Sequence, residues 1–209
     1  MDKQYAIFDM DGTLVDSMGY WKNLAKEYLS LKGIAQVPDA MLETIKTMTM
    51  KESAALFIEE FRLEGTPESI AGEMNALMDA HYYKDIPLKR GVKEHLEKLY
   101  NDGITMCVAS AAAVPLVEAC LARLGIAGYF SFLISCETIG VGKSKPDIYY
   151  EAAKRFDSVP ERIAVYEDAL YAAKTAKTAG FYVVGVFDES EAAHFDSLKE
   201  LADEFLLGW

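Results

Sequence analysis

Residues 5–16 read Tyr5-Ala6-Ile7-Phe8-Asp9-Met10-Asp11-Gly12-Thr13-Leu14-Val15-Asp16. The apolar residues at the start of this stretch are unbroken rather than alternating with polar ones, as in a strand buried on both faces. The run ends in two carboxylates spaced i, i+2, and Gly12 lets the chain turn sharply behind them. Four later runs repeat the apolar pattern: Ile104–Ala109, Phe130–Ile134, Ile163–Tyr166 and Tyr182–Phe187. Helical spacing returns between them. Leu116, Cys120 and Leu124 share one face of a segment that starts at Pro115 and stops at Gly125, and an alanine-rich segment, Ala169–Ala179, stops at Gly180. Strand alternating with helix requires right-handed crossovers, which gives an α/β fold with a doubly wound parallel sheet. In such sheets the chemistry sits at the carboxyl ends of the strands.

Residues 17–85 break this rhythm and read as helices only. They are Tyr20–Leu31, with Trp21, Leu24, Tyr28 and Leu31 on one stripe, then Ser53–Leu63, then Pro67–Tyr83. Gly65-Thr66-Pro67 is a stop, an N-cap and a proline at the first helical position, in that order. The expected division is therefore a core made of residues 1–16 and 86–209 with an all-helical cap, residues 17–85, inserted after the first strand. The 209 residues, 51% hydrophobic and 26% charged, hold enough material for one globular domain and an insertion, and exclude a disordered or collagen-like chain. The formal charge of −12 disfavours nucleic acid and anionic membrane surfaces as partners. Gly103–Val117, the longest uncharged stretch, is too short and too polar to span a bilayer, and Tyr5–Phe8 is too short to be the apolar centre of a signal peptide. Cys107, Cys120 and Cys136 are odd in number and contain no C-x-x-C, so a reduced, cytoplasmic setting is expected.

Four short segments carry candidate chemistry. Asp9 and Asp11 repel each other unless a cation or a shared proton neutralises them, although Asp-Gly is also a common turn pair. An EF-hand is excluded, because the glycine comes too early and Tyr20 stands where the terminal glutamate belongs. Ser110 ends the second apolar run and can offer its hydroxyl and neighbouring N–H groups to an anion, or simply cap the next helix. Gly140-Val141-Gly142-Lys143-Ser144 is not a P-loop, because Glu137 occupies the place of the first glycine. It does leave Lys143 on a loop after a strand, as a point charge for phosphate or as an ordinary solvated lysine. Glu167 and Asp168 follow the fourth run and can supply a metal ligand and a supporting carboxylate, or merely favour a helix start. Each has a bland explanation alone. Acid, hydroxyl, cation and acid in order after successive parallel strands, however, describe one site.

With these four motifs in order, the sequence resembles the haloacid dehalogenase superfamily of phosphotransferases, in the branch of β-phosphoglucomutase and phosphoglycolate-type phosphatases. The resemblance runs from Asp9 to about Gly180. It implies a Rossmann-like core with a helical cap, and an enzyme that acts on a small phosphorylated metabolite. By the same resemblance, Asp9 is the nucleophile that forms an aspartyl-phosphate, and Asp11 the general acid and then base. Mg²⁺ is held by Asp9, the backbone carbonyl of Asp11 and Asp168, with Glu167 nearby. Ser110, the Ala111 N–H and Lys143 hold the phosphoryl oxygens. Lys143 rather than Lys145 is chosen because Lys143-Ser144-Lys145-Pro146-Asp147 matches the family spacing Lys-x-x-Pro-Asp.

The departures narrow the activity. Ala112 and Ala113 stand where relatives often carry polar side chains. In the cap, Thr47 and Met50 stand where a mutase loop carries glycine and arginine. A mutase must hold a second phosphate after the substrate flips, a task suited to arginine's bidentate fork. The losses favour a phosphatase over a β-phosphoglucomutase-like mutase. True dehalogenases and phosphonatases lack the second aspartate, so Asp11 counts against both. A non-catalytic binding protein would be expected to lose Asp9, Asp11 or Asp168. His81, His95 and His194 lack metal-ligand spacing, and His81 and His95, within helical patterns, are expected to pack or face solvent. Trp21, Tyr20 and the methionines from Met41 to Met50 are expected to form cap core or its substrate-facing lining.

Overall fold

The computed structural model describes residues 3–45 and 48–209; Thr47, named above for the mutase loop, lies outside them. In chain order the elements are β1 (Tyr5–Phe8), α1 (Met18–Leu31), α2 (Asp39–Ile45), α3 (Met50–Phe61), α4 (Pro67–Lys84) and α5 (Val92–Asn101). They continue with β2 (Thr105–Ser110), α6 (Val114–Arg123), β3 (Phe130–Ser135), α7 (Cys136–Ile139), α8 (Asp147–Arg155), β4 (Ile163–Glu167), α9 (Leu170–Thr178), β5 (Tyr182–Val186), α10 (Phe195–Leu201) and β6 (Glu204–Leu206). The chain forms two compact units, Gly19–Asp85 and the remainder, Met1–Met18 with Ile86–Trp209.

The larger unit is a six-stranded parallel sheet in the order β3-β2-β1-β4-β5-β6. The order reverses direction at β1–β4, the kind of switch point beside which ligands bind in open α/β sheets. Central strands are the unbroken apolar runs because helices cover both their faces. On one face Ile7, Cys107, Val165 and Val183 pack with Tyr149, Ala152, Ala173 and Ala176 from α8 and α9 and with Phe156 just beyond α8. Phe8 turns the other way, stacked on Tyr166 with ring centroids 4.3 Å apart.

β6 is the strand that the apolar pattern does not announce. It is three residues, Glu204 exposed and Phe205 and Leu206 half-buried, too short and too charged at its start to stand out. Its packing is visible in β5, where a Cβ at Gly185 would meet Phe205 Cδ2 at 2.8 Å, so β6 and α10 close onto the sheet only over a glycine.

In the helical unit the capping signals read correctly. Thr66 caps α4 with Pro67 in its first turn, and Thr49 and Glu52 form a reciprocal capping box that starts α3 at Met50 rather than Ser53. The α1 stripe needs correction. Leu24, Ala25, Tyr28 and Leu29 are buried, whereas Trp21 and Leu31 are 36% and 70% exposed. The helix is turned toward α4, where Tyr28 Oη donates to Glu73 Oε2 (2.7 Å), Lys32 pairs with Glu73 (2.7 Å) and His81 joins Glu27 (2.9 Å). Met41 is core, while Trp21, Met48 and Met50 line a cavity of about 530 Å³ within this unit.

Candidate active site

Asp9 is the first residue beyond β1, yet its N–H still donates to the Tyr166 carbonyl of β4 (3.0 Å). Its backbone is thus held at the mouth of the sheet. Met10 is fully buried, so the strand-like alternation sends it inward and leaves Asp9 and Asp11 to the other side. The turn then closes on itself: Leu14 and Val15 N–H groups both donate to the Met10 carbonyl, and Gly12 N–H donates to the Val15 carbonyl (3.0 Å). Ser17 Oγ donates to Asp11 Oδ1 at 2.6 Å.

Around Asp9 the fold gathers residues from distant parts of the chain. Lys143, on the loop between α7 and α8, is 5% exposed, and its Nζ pairs with Asp9 Oδ1 and with Glu167 Oε1 (2.7 Å). Glu167 ends β4, and Asp168 is the next residue, with 1% and 3% exposure. Ser110 ends β2, the strand beside β1, in a register that pairs Phe8 with Val108. Its Oγ accepts from the Ala112 N–H (3.0 Å) and folds the chain after the strand, while the N-cap of α6 is Ala113. Ala111 and Lys145 are exposed. Of the two lysines, it is Lys143 that contacts the carboxylates.

Two contributors are not anticipated from the sequence. Thr13 Oγ1 donates to Asp168 Oδ1 at 2.7 Å, and Tyr149 Oη donates to Glu167 Oε1 at 2.8 Å. The signals were present: Thr13 lies two residues after Asp11, and Tyr149 is an unusually polar group for the buried face of α8.

Charge in this cluster is unbalanced. Asp9, Glu167 and Asp168 offer carboxylate oxygens that all lie within 4.8 Å of one another, against one buried ammonium. Burial pushes the Glu167 carboxyl up to about 7, with Lys143 opposing and Asp9 adding to the rise. Burial, then the charges of Asp9 and Glu167, hold Asp168 well above the usual carboxylate range. For Lys143 burial alone would lower the pKa, but Asp9 and Glu167 outweigh it and keep the ammonium charged.

An all-oxygen donor set of this kind suits a hard divalent cation. The three oxygens lie close enough together that one small cation could draw on them. Gly12 leaves room for the Asp168 carboxylate: the glycine sits at φ +81°, and a Cβ there would lie only 2.9 Å from Asp168 Cγ. A cation and protons would compete for the same oxygens. Groups whose folded pKa is raised lend stability below their unfolded pKa and lose it as the pH climbs through the folded value, near 7 for Glu167. The metal-free protein is therefore expected to weaken from pH 5 to 7.5. The rise in Tm on adding Mg²⁺ should be about 5 °C or more at pH 7.5 and shrink toward zero at pH 5, read by calorimetry. A rise equal at both pH values would contradict this.

A family model described as haloacid dehalogenase-like hydrolase matches residues 6–186. The fructose-1-phosphate phosphatase of Escherichia coli is 28% identical over 193 residues, 89% of this chain and 98% of that protein. The phosphorylated carbohydrates phosphatase of Thermotoga maritima is 24% identical over 174 residues, 83% of this chain and 80% of its own. In fold, the CbbY protein of Rhodobacter sphaeroides in complex with xylulose-1,5-bisphosphate superposes with a TM-score of 0.75 at 23% identity, covering 99% of this chain and 94% of that one. Sheet order, acidic cluster and family match agree, and this chain belongs to the haloacid dehalogenase-like hydrolases.

Proposed function

We propose that the chain is a Mg²⁺-dependent phosphatase that hydrolyses a small phosphomonoester, a sugar or polyol phosphate, through an aspartyl-phosphate on Asp9. The observation that carries this reading is the buried cluster of Asp9, Glu167 and Asp168, in which Lys143 pairs with Asp9 and Glu167. Anions this close and this dry are maintained against their repulsion where a cation and a phosphoryl group are to be held between them. Asp9, the Asp11 backbone carbonyl and Asp168 would hold the metal, with Glu167 supporting Lys143. Once bound, Mg²⁺ would neutralise negative charge on the phosphoryl oxygens as the transition state spreads it.

The chain's own groups account for both half-reactions. An Asp9 carboxylate oxygen attacks phosphorus, the ester P–O bond breaks, and Asp11 gives its proton to the departing alkoxide. Water then attacks the aspartyl-phosphate while Asp11 takes a proton from it, which releases inorganic phosphate and restores the Asp9 carboxylate. Ser17 Oγ, donating to Asp11 Oδ1, fixes the orientation of that carboxyl for its acid and base roles. Lys143, the Ser110 hydroxyl and the Ala111 N–H meet the phosphoryl oxygens. The substrate class draws support from the E. coli and T. maritima relatives, both named for phosphorylated sugars or carbohydrates. Cys107, Cys120 and Cys136 are free and buried, consistent with a reducing cytoplasm, and among the described residues no helix is long and apolar enough to cross a membrane.

The test is a phosphate-release screen over small metabolites with and without Mg²⁺, with fructose 1-phosphate and β-glucose 1-phosphate included. Mg²⁺-dependent release from one or a few sugar or polyol phosphates is expected. Efficient conversion of β-glucose 1-phosphate to glucose 6-phosphate would replace the phosphatase by a mutase, and no turnover of any phosphomonoester would overturn the enzyme reading.

A further inference from the structure

Lys89 precedes α5 and belongs to none of the motifs above. It is largely buried, and its ammonium donates to three acceptors: the Gly12 carbonyl, the Phe187 carbonyl (2.9 Å) and Asp188 Oδ2 (2.8 Å). Those bonds use every donor that a lysine has. Asp188, 6% exposed, is fixed in turn, because its Oδ1 accepts from the Ser190 N–H (2.9 Å) and Ser190 Oγ (2.5 Å). The Lys89 backbone is also anchored, its N–H donating to the Leu14 carbonyl (3.0 Å). One charged side chain therefore ties the turn after Asp11 to the end of β5.

The tied atom matters. The Gly12 carbonyl belongs to the peptide between Gly12 and Thr13. On one side of that peptide is the Asp11 carbonyl; on the other is Thr13, whose hydroxyl holds Asp168 Oδ1. Trp209 Nε1 donates to the Thr13 carbonyl (3.2 Å), so the next peptide is held as well. A glycine at φ +81° is the most easily rotated point of the turn, and it is there that the ammonium is applied.

We propose that the Lys89–Asp188 pair is a positioning unit for the cation site, orienting the Asp11 carbonyl and the Thr13–Asp168 hydrogen bond through the Gly12–Thr13 peptide. The proposal rests on the metal reading above. It opposes simple electrostatics: Lys89→Met removes a positive charge and leaves the Asp188 carboxylate unpaired, which by charge alone tightens cation binding. The positioning role requires the reverse.

Mg²⁺ binding to the substrate-free protein, measured by isothermal titration calorimetry, separates the two. Lys89→Met and the charge-neutral double variant Lys89→Met/Asp188→Asn are expected to bind Mg²⁺ about tenfold more weakly, within the range for outer-shell partners of metal ligands. Lys89→Arg should recover affinity to within about threefold of the parent, because its guanidinium offers several donors. At saturating Mg²⁺ the KM for substrate should stay within about twofold of the parent value. Mg²⁺ affinity equal to or tighter than the parent's, in either neutralised variant, overturns the proposal. Should Lys89→Met fail to fold, Lys89→Gln, which keeps one amide donor, is read in the same way. A parent protein that binds no Mg²⁺ overturns the metal reading and this proposal with it, whereas a parent that binds, with variants that bind equally, overturns only the positioning role.

Discussion

Asp9→Asn is expected to abolish turnover, with kcat at least about 10⁴-fold below the parent, while the protein stays folded. The substitution is isosteric and keeps a carbonyl oxygen beside Lys143, but a neutral amide oxygen is a poor nucleophile and cannot form the acyl phosphate. Stability moves the other way. Asp9 is one of three crowded carboxylates, and its charge contributes to the upward pKa of both Glu167 and Asp168. Removing it relieves that repulsion and leaves Lys143 paired with Glu167, so the Tm of metal-free Asp9→Asn should equal or exceed the parent's. Lower activity with unchanged or higher stability is the pattern of a site held under electrostatic strain for function. Near-parent phosphate release in purified Asp9→Asn, with contaminating phosphatase excluded, would remove Asp9 from the chemistry. A large fall in Tm would instead make Asp9 a structural partner of Lys143.

Much of the fold is legible because burial on both faces forces a run of apolar residues, and β1 to β5 have one. β6 has none, and is recognisable only from the room that Gly185 leaves for Phe205. The α1 stripe is displaced by part of a turn because spacing places apolar residues on a face, while the neighbour decides which part is covered. Here the neighbour is α4, through Tyr28–Glu73 and Glu27–His81. Candidate residues with a local signature, such as Asp9, Asp11, Ser110 and the Glu167–Asp168 pair, can be found from their place after a strand. Lys143 needs the family spacing to separate it from Lys145. Lys89 and Trp209 have no such signature, and Thr13 and Tyr149 only a faint one, a hydroxyl near Asp11 and a polar group on a buried helix face. Thr13 meets Asp168, 155 residues away, Lys89 meets Gly12 across 77, and Trp209 meets Thr13 across 196. Contacts at such separations are created by the fold, and no local pattern announces them.

Lys143→Met should separate what the buried ammonium does for the fold from what it does for the reaction. Among the described residues the parent site holds three buried carboxylates, Asp9, Glu167 and Asp168, and the buried ammonium of Lys143. Methionine fills much of the same volume but leaves Asp9 and Glu167 without their partner, and breaking a buried ion pair on one side costs about 3–5 kcal/mol. At about 2–4 °C per kcal/mol for a chain of this size, the metal-free variant should melt roughly 6–20 °C below the parent at pH 7.5. Two treatments should restore much of that loss. Without Lys143 the Glu167 carboxyl is pushed above its parent value of about 7, so the variant takes up that proton at a higher pH than the parent and the deficit should narrow as the pH falls toward about 7. Mg²⁺ should narrow it as well, because a divalent cation supplies the missing charge. Neither should restore catalysis, since the ammonium would also meet the phosphoryl oxygens, and losing such a donor costs about 10²–10³-fold in kcat. Lys145→Met is the control: this exposed neighbour should change Tm and kcat little. Parent-like stability and turnover in Lys143→Met, or a larger loss in Lys145→Met, would assign the phosphate contact to the wrong lysine.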